Sequence, residues 1–338
     1  MLYFSYTRGD DMPDMVQIVV TPGSGDGRAR ATARRLQKAL LRRGYVVHIQ
    51  TFADLERLLE WSATCEPEYS HLVAVGGDAT LSASAAAAVR LSIPFLPVPN
   101  GFGNMFARAF GFGDQTRRVI EHFERGQVRR VDVGVYPGER IFLSHRSYGL
   151  LEDIQRAVER GRAQLKSRLL RHLAYYVTAE RFILTAPLPS IRVEVDGILP
   201  VEEAALVTVA NVETYRGFLS LTPTASPIDG LFDVFVIPRT TKIRVWTCIF
   251  KILLGLPGRW DGVVLSRGRR VRVTVQGRAP DDLEVRRRAL PLLVLPESLE
   301  DLKVRQAEAE VASALDGGGP AVPPLVTEPR AAELRPRS

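Results

Sequence analysis

The stretch His71-Leu-Val-Ala-Val-Gly-Gly-Asp-Ala-Thr80 constrains the fold of this chain more than any other. An apolar, β-branched run breaks off into two glycines, an acid, a small residue and a hydroxyl. The alanine-rich segment Leu81 to Arg90 follows, with strong helix propensity. That order predicts a buried strand, a tight glycine turn and a helix N-terminus. Such a turn aims backbone N–H groups and the positive end of a helix at whatever lies above it, which suits a phosphate. Glycine at 76 and 77 permits close backbone approach where a Cβ would obstruct. Asp78 could hold a metal ion directly or through water, and Thr80 could bond a phosphate oxygen. A plain turn with Thr80 as helix cap accounts for the same residues.

A second stretch, Pro94 to Arg108, is another apolar strand ending in a glycine loop and a helix start. Gly76-Gly77-Asp78-Ala79-Thr80 and Pro99-Asn100-Gly101-Phe102-Gly103-Asn104-Met105-Phe106-Ala107-Arg108 stand one βα unit apart. Together they resemble the diacylglycerol kinase catalytic domain, shared by bacterial lipid kinases, sphingosine kinases and ceramide kinases. That family carries Gly-Gly-Asp-Gly-Thr followed by Pro-x-Gly-Thr-x-Asn-x-x-Ala-Arg. It also has Asn-Pro-x-Ser-Gly at its first turn, which Thr21-Pro22-Gly23-Ser24-Gly25 fits except that Thr21 replaces asparagine. The resemblance implies that ATP phosphates lie against this loop and against Gly76, Gly77, Asp78, Ala79, Thr80, Leu81 and Ser82. It further implies nucleotide contacts at Thr51, Phe102 and Asn104. A strand-end hydroxyl satisfying backbone is the alternative for Thr51.

The 338 residues leave room for two domains and a substantial core. No run approaches the ~18 apolar residues that span a bilayer, and the first fifteen residues show no secretory signal. Cys65 and Cys248 stand far apart without metal-ligand spacing, so a reduced, cytoplasmic protein with buried thiols is expected. The formal net charge is +7, nearly all of the cations being arginine. Codon bias in a GC-rich genome or attraction to an anionic membrane surface accounts for it. Charge alone would also suit nucleic acid, but no base-stacking or recognition-helix motif accompanies it.

In chain order, residues 1–15 read as a leader. Strands at Val16 to Val20, Tyr45 to Thr51, 71–76, 94–98 and Val131 to Val135 alternate with helices at Arg28 to Arg43, Ala53 to Trp61, 81–90 and Gln115 to Arg125. Alternation of this kind predicts, for 16–135, an α/β domain whose parallel sheet is covered on both faces. Its ligands bind beyond the carboxyl ends of the strands. After Val135, helical stretches at Leu150 to Arg160 and Leu165 to Leu184 precede short strands at 190–195, 204–210, 231–237, 271–275 and 292–295. Residues 136–295 therefore read as an antiparallel β-sandwich-like domain. In the family the last strand pairs back onto the first domain, which places a returning strand at 296–307. Residues 308–338 read as a disordered tail.

Ser226-Pro-Ile-Asp-Gly-Leu-Phe-Asp-Val234 resembles the family's Asp-Gly-x-x-Asp signature. By that resemblance Ser226, Asp229 and the carbonyl of Leu231 surround a structural Mg²⁺, oxygen ligands being what a hard cation takes. A simple Asp-Gly turn is the alternative; Asp233 reads as a strand-face acid. The family's late Asp-Gly-Glu, which supplies the catalytic acids, has its counterpart in Asp282-Leu283-Glu284, without the glycine. A carboxylate there, Glu284 with Asp282 beside it, would take the proton of a lipid hydroxyl as it attacks the γ-phosphate. Lys242 to Leu256 combines helical apolar spacing, Trp246 and basic flanks. It suits a helix at a membrane interface or one packed in the core.

The resemblance covers about residues 16–305 and departs at Ala79, Phe102 and Leu283. Alanine at 79 would be strained if that position needed a left-handed backbone. Two readings stand: an ATP-dependent kinase acting on diacylglycerol or a related lipid alcohol, and a protein of the same fold that binds lipid or nucleotide without turnover. Expected cofactors are ATP and Mg²⁺. Expected partners are a lipid substrate and, transiently, an anionic membrane surface at the cytoplasmic face of the inner membrane. A homodimer is left open, and no nucleic acid is expected.

Overall fold

The computed structural model describes residues 14–21, 28–101, 103–149, 188–213, 215–216, 219–253 and 262–315. The expected leader up to residue 13, the loop residues Pro22, Gly23, Ser24 and Gly25, Phe102, both helices expected within 150–184, and the tail beyond 315 lie outside these.

Strands β1 (Met15–Val20), β2 (Val46–Thr51), β3 (His71–Gly76) and β4 (Phe95–Pro99) are parallel in the order β2-β1-β3-β4. The crossovers are α1 (Ala29–Leu41), α2 (Leu55–Thr64) and α3 (Asp78–Leu91). Consecutive residues of β1 and β3 are buried, as a sheet covered on both faces requires. Helix α1 presents Ala29, Ala33, Leu36 and Leu40, all fully buried, along one stripe. Each leucine buried there contributes roughly 1.5–3 kcal/mol. Gly44, at φ +86°, ends the connection to β2 in a conformation that favours glycine. The alanines of α3 are mostly buried and let α2 and the sheet approach it closely.

Helices α4 (Met105–Ala109) and α5 (Thr116–Arg125) lead to β5 (Gln127–Tyr136), from which an antiparallel, sandwich-like domain grows. It contains β6 (Arg140–Phe142), β7 (His145–Gly149), β8 (Ile191–Val195), β9 (Ala204–Ala210), the pair β10 (Tyr215–Arg216) and β11 (Leu219–Ser220), and β12 (Phe232–Pro238). Helix α6 (Lys242–Leu253), β13 (Val264–Gly268), β14 (Arg270–Val275), β15 (Asp281–Val294) and α7 (Pro296–Leu315) complete the described elements. In β8 the buried Ile191, Val193 and Val195 alternate with the more accessible Arg192 and Glu194, matching the period-two pattern.

Strand β15 joins the two halves. Its first part pairs β14, and Leu292 then pairs Phe95 of β4 in parallel, so one sheet runs through the molecule. Against β5 its register jumps between Arg286 and Leu290, and Arg288 within the jump has φ +49°. An irregularity of this kind bends a strand from one layer toward another.

The return to the first domain is therefore made by β15 and not by a strand at 296–307. That segment is α7, which also takes in 308–315 from the expected tail. Pro296 has no N–H to give a sheet ladder but fits the first turn of a helix, and Glu297 suits the helix's positive end. The alanine- and glutamate-rich run that follows favours helix.

Candidate functional site

The two glycine turns stand backbone against backbone at the carboxyl edge of β3 and β4. A Cβ on Gly101 would lie 2.6 Å from the Gly77 Cα, and one on Gly76 would lie 2.5 Å from the Thr80 Cβ. Neither position has room for a side chain, so close approach explains both glycines. The Asn100 N–H donates to the Gly76 carbonyl at 2.7 Å and extends the strand pairing into the turns.

Asp78 fastens the second turn to the first. Its Oδ2 accepts the Asn104 N–H at 2.8 Å and its Oδ1 accepts the Met105 N–H at 3.0 Å. Burial pushes its pKa above the ordinary carboxylate value, and these amides, with that of Phe106, pull the other way without cancelling the effect. Both oxygens are thus committed to backbone, and Asp78 acts first as a clamp between loops. Asn104, at φ +51°, closes its own loop: its Oδ1 accepts the Gly101 N–H at 3.1 Å and its Nδ2 donates to the Gly101 carbonyl at 2.7 Å.

The remaining expected nucleotide residues divide. Ala79 is exposed in the first turn of α3 with helical backbone, so no left-handed strain arises there. Gly77 caps this helix with no side-chain hydrogen bond to its first amides. The Thr80 hydroxyl is buried and hydrogen-bonded to Thr21 at 2.5 Å, which ties β1 to α3. Leu81 is fully buried core, because position 81 faces the sheet, and its side chain cannot touch nucleotide. Ser82 Oγ accepts the Leu143 N–H at 3.2 Å and connects α3 to the second domain. Thr51 ends β2 with its side chain exposed.

The acid pair lies on the solvated face of β15. Glu284 and Asp282 face Arg270 and Arg272 across the β14 ladder, at 3.4 and 2.7 Å, and are 61% and 62% exposed. They line a cavity of about 750 Å³ together with Arg270, Arg272, Tyr136 and Glu139. Glu284 is opposite Val135 and Val135 opposite Ile141, so two strand spacings, about 10 Å, separate Glu284 from β6, after which Leu143 meets Ser82. On the other face, the half-buried Asp281 accepts the Tyr148 hydroxyl at 3.0 Å and pairs with Arg146 at 3.3 Å. Arg146 also stacks over Tyr136, and burial drives the Tyr148 pKa up. The acid–glycine–acid triplet expected here is split in this chain. Asp282-Leu283-Glu284 has the acids, whereas Gln276-Gly277-Arg278 has the glycine, at φ +79° in the β14–β15 turn, without acids.

The expected metal ligands do not form an open cation site. Asp229 Oδ1 accepts the Leu231 N–H at 2.9 Å, and its Oδ2 is bound by Arg267 at 2.5 Å. Burial raises the Asp229 pKa to about 7, and the Asp233 and Asp132 carboxylates add to this while Leu231 and Arg267 oppose it. The Ser226 hydroxyl is buried without a hydrogen-bond partner among the described residues. Among the described residues no group of three or more His, Cys, Asp or Glu is placed to hold a metal ion.

Asp132 was not singled out from sequence, yet it is the hub of this region. Its N–H donates to the Pro227 carbonyl at 2.7 Å, and its carbonyl accepts from Asn211 at 3.2 Å. Its carboxylate takes the Gly230 and Arg288 amides at 2.8 and 2.7 Å. A lone acid in the apolar run Val131-Asp132-Val133 was the available signal.

Residues 15–136 match the diacylglycerol kinase catalytic domain, and residues 153–299 match the YegS C-terminal NAD kinase beta sandwich-like domain. The chain is 26% identical over 211 residues to a diacylglycerol kinase of Bacillus subtilis (strain 168), covering 62% of this chain and 68% of that one. It is 25% identical over 231 residues to a diacylglycerol kinase of Staphylococcus saprophyticus, covering 68% and 74%. A crystal structure of a diacylglycerol kinase from Bacillus anthracis str. Sterne superposes with a TM-score of 0.60 at 17% identity, over 86% of this chain and all of that one. At that identity the likeness is one of fold.

Proposed function

The chain belongs to the diacylglycerol kinase catalytic domain family, and on that premise we propose that it transfers the γ-phosphate of ATP to the hydroxyl of diacylglycerol or a related lipid alcohol. The observation that carries this reading is the pair of interlocked glycine turns. Gly77 and Gly101 touch through backbone, Asp78 holds both loops, and the first turn of α3, without a side-chain cap, presents the positive end of a helix. ATP binds at this edge with its own Mg²⁺, which supplies charge neutralisation to the transferring phosphoryl group. The turn residues position the phosphates with backbone groups, since the side chains of Asp78, Thr80 and Asn104 are already engaged in holding the loops.

Phosphoryl transfer also requires a proton acceptor for the lipid hydroxyl. Glu284, with Asp282 beside it, lines the cavity bounded by Tyr136, Arg270 and Arg272 and is assigned that role. The lipid reaches it from an anionic membrane surface at the cytoplasmic face. Helix α6 supports this: Val245 and Cys248 face inward, whereas Ile243 is 78% exposed between the exposed Lys242 and Arg244. No acid occurs between Asp233 and Asp261, while Arg239, Lys242, Arg244, Lys251 and Arg259 do. Among the described residues no helix is long and apolar enough to cross a membrane.

One observation favours the second reading, binding without turnover. Both candidate acids are solvated and paired to arginine, and the glycine-centred triplet at 276–278 carries no acid. The two readings separate experimentally. Calorimetric titration with ATP and Mg²⁺, followed by labelled-ATP turnover against a panel of diacylglycerol, ceramide and sphingoid bases, distinguishes a kinase from a binder. Nucleotide binding with no lipid phosphorylated selects the binder, and no nucleotide binding by the folded protein removes both ATP-based readings.

A further inference from the structure

The turn that begins at Ser226 is expected, by family resemblance, to be built around a divalent ion, but its charges are arranged around something else. Asp233 stands directly opposite Arg267 in the β12–β13 ladder, so the sheet register itself delivers the guanidinium to this spot. The arginine fork spans two acids: Nε binds Asp233 Oδ1 at 2.8 Å and Nη2 binds Asp229 Oδ2 at 2.5 Å. All three side chains are largely shielded from solvent, at 23% for Arg267, 17% for Asp229 and 6% for Asp233. The remaining acceptor sites are engaged too, Asp233 Oδ2 by the Thr224 hydroxyl and Asp229 Oδ1 by the Leu231 amide. A rigid planar fork that presents its Nε and Nη2 donors in fixed directions is suited to bridging a carboxylate pair in this way.

We propose that Arg267 is the resident cation of this site: its guanidinium, fixed across Asp229 and Asp233, replaces the divalent ion, and the Ser226–Leu231 turn is assembled without metal. A cation placed on Asp229 would lie beside a guanidinium bound to the same carboxylate and would be repelled by it. The Ser226 hydroxyl, buried and without a partner among the described residues, is then a ligand left idle. The role of the turn is unchanged. It still holds Gly230 against Asp132 and thereby the irregular segment of β15.

The test uses the full chain with neither nucleotide nor lipid present, so its outcome is independent of whether the protein is an active kinase. Melting temperature is measured in EDTA and in millimolar MgCl₂, and Mn²⁺ binding is followed by electron paramagnetic resonance. Wild type, Arg267→Met, Arg267→Lys and Asp229→Asn are compared. Wild type is expected to melt at the same temperature with and without metal, and Asp229→Asn to remove no Mn²⁺ binding from it. Arg267→Met is expected to melt several degrees lower, to gain one Mn²⁺ site and to recover with Mg²⁺; Arg267→Lys is expected to fall between. Saturable Mn²⁺ binding in wild type that disappears in Asp229→Asn would overturn the proposal, as would a wild-type melting temperature lowered by EDTA. An Arg267→Met protein as stable as wild type without metal would overturn it as well. Should Arg267→Met fail to fold, the wild-type and Asp229→Asn measurements decide alone.

Discussion

The Asp132 carboxylate accepts the Gly230 amide at 2.8 Å, across 98 positions of sequence. Its other oxygen takes the Arg288 amide at the irregularity of β15. One side chain, 1% exposed, thus joins the strand leaving the α/β domain, the Ser226–Leu231 turn and the strand that returns.

Removing it strands two N–H donors, one buried and one partly buried. Hydrogen bonds to a charged acceptor are worth about 1.5–3 kcal/mol each, so Asp132→Ala is expected to cost roughly 3–6 kcal/mol. Asp132→Asn costs less but turns an amide donor toward a backbone donor. Urea denaturation measures both, and a loss under about 0.5 kcal/mol for Asp132→Ala would deny the residue its role as hub.

Gly101→Ala places a methyl 2.6 Å from the Gly77 Cα, where only backbone could yield. Overpacking of this kind costs about 1–3 kcal/mol. The larger expected effect is on nucleotide affinity, because the two turns must part. Isothermal titration with ATP and Mg²⁺ reads it, and unchanged affinity would show that the turns do not form the binding edge.

At Ala79 the expectation runs opposite to the strain argument available from sequence. The residue is helical and exposed, so Ala79→Gly is expected to lower stability by about 0.5–1 kcal/mol through lost helix propensity. ATP binding is expected to remain. A stability gain on thermal denaturation would mean that position 79 is strained after all.

Acid destabilisation is expected from His122. It is 2% exposed, stacked on Phe112 at 4.8 Å and bonded through Nδ1 to the Arg118 carbonyl, and burial holds its pKa below the usual histidine value. The unfolded chain therefore binds more protons as pH falls below about 6.5. The stability contribution of the neutral ring is present above that pH and is lost below it, by at most about 1.4 kcal/mol per pH unit. His71 is shifted in the same direction by burial. Stability measured from pH 8 to 5 should fall less steeply in His122→Gln, and an identical slope would assign the acid response elsewhere.

Much of the α/β half was legible because a strand, a glycine turn and a helix cap follow from local residue chemistry. Close backbone approach at Gly77 could be read from sequence, since only glycine leaves room for it, whereas its partner Gly101 belongs to another turn. What Asp78 does was less legible, because its partners, the amides of Asn104 and Met105, belong to another turn and their direction depends on tertiary packing. Leu81 was placed against nucleotide by its neighbourhood in the motif, whereas the helix period turns it into the core. Strand β15 was read only at its apolar end, since the arginines and acids of 281–288 hide a strand with one solvated face. The Asp229–Arg267 pair was invisible for a further reason: it depends on the β12–β13 register, which no local pattern in the sequence encodes.

The proton acceptor is tested by Glu284→Gln, which preserves size and removes charge. A general base contributes typically ~10²–10⁴-fold in rate; lipid phosphorylation should fall within that range while ATP affinity holds. Near-equal rates would release Glu284 from the mechanism. Asp282, which lines the same cavity, would then be tried in its place.

The measurement that bears most directly on the central claim is transfer of label from [γ-³²P]ATP to diacylglycerol in anionic vesicles, with wild type and Gly101→Ala run in parallel. Phosphatidic acid formed by wild type and sharply reduced in Gly101→Ala is the predicted result. Folded wild-type protein that binds ATP and Mg²⁺ yet labels neither diacylglycerol nor any other lipid alcohol would contradict the account.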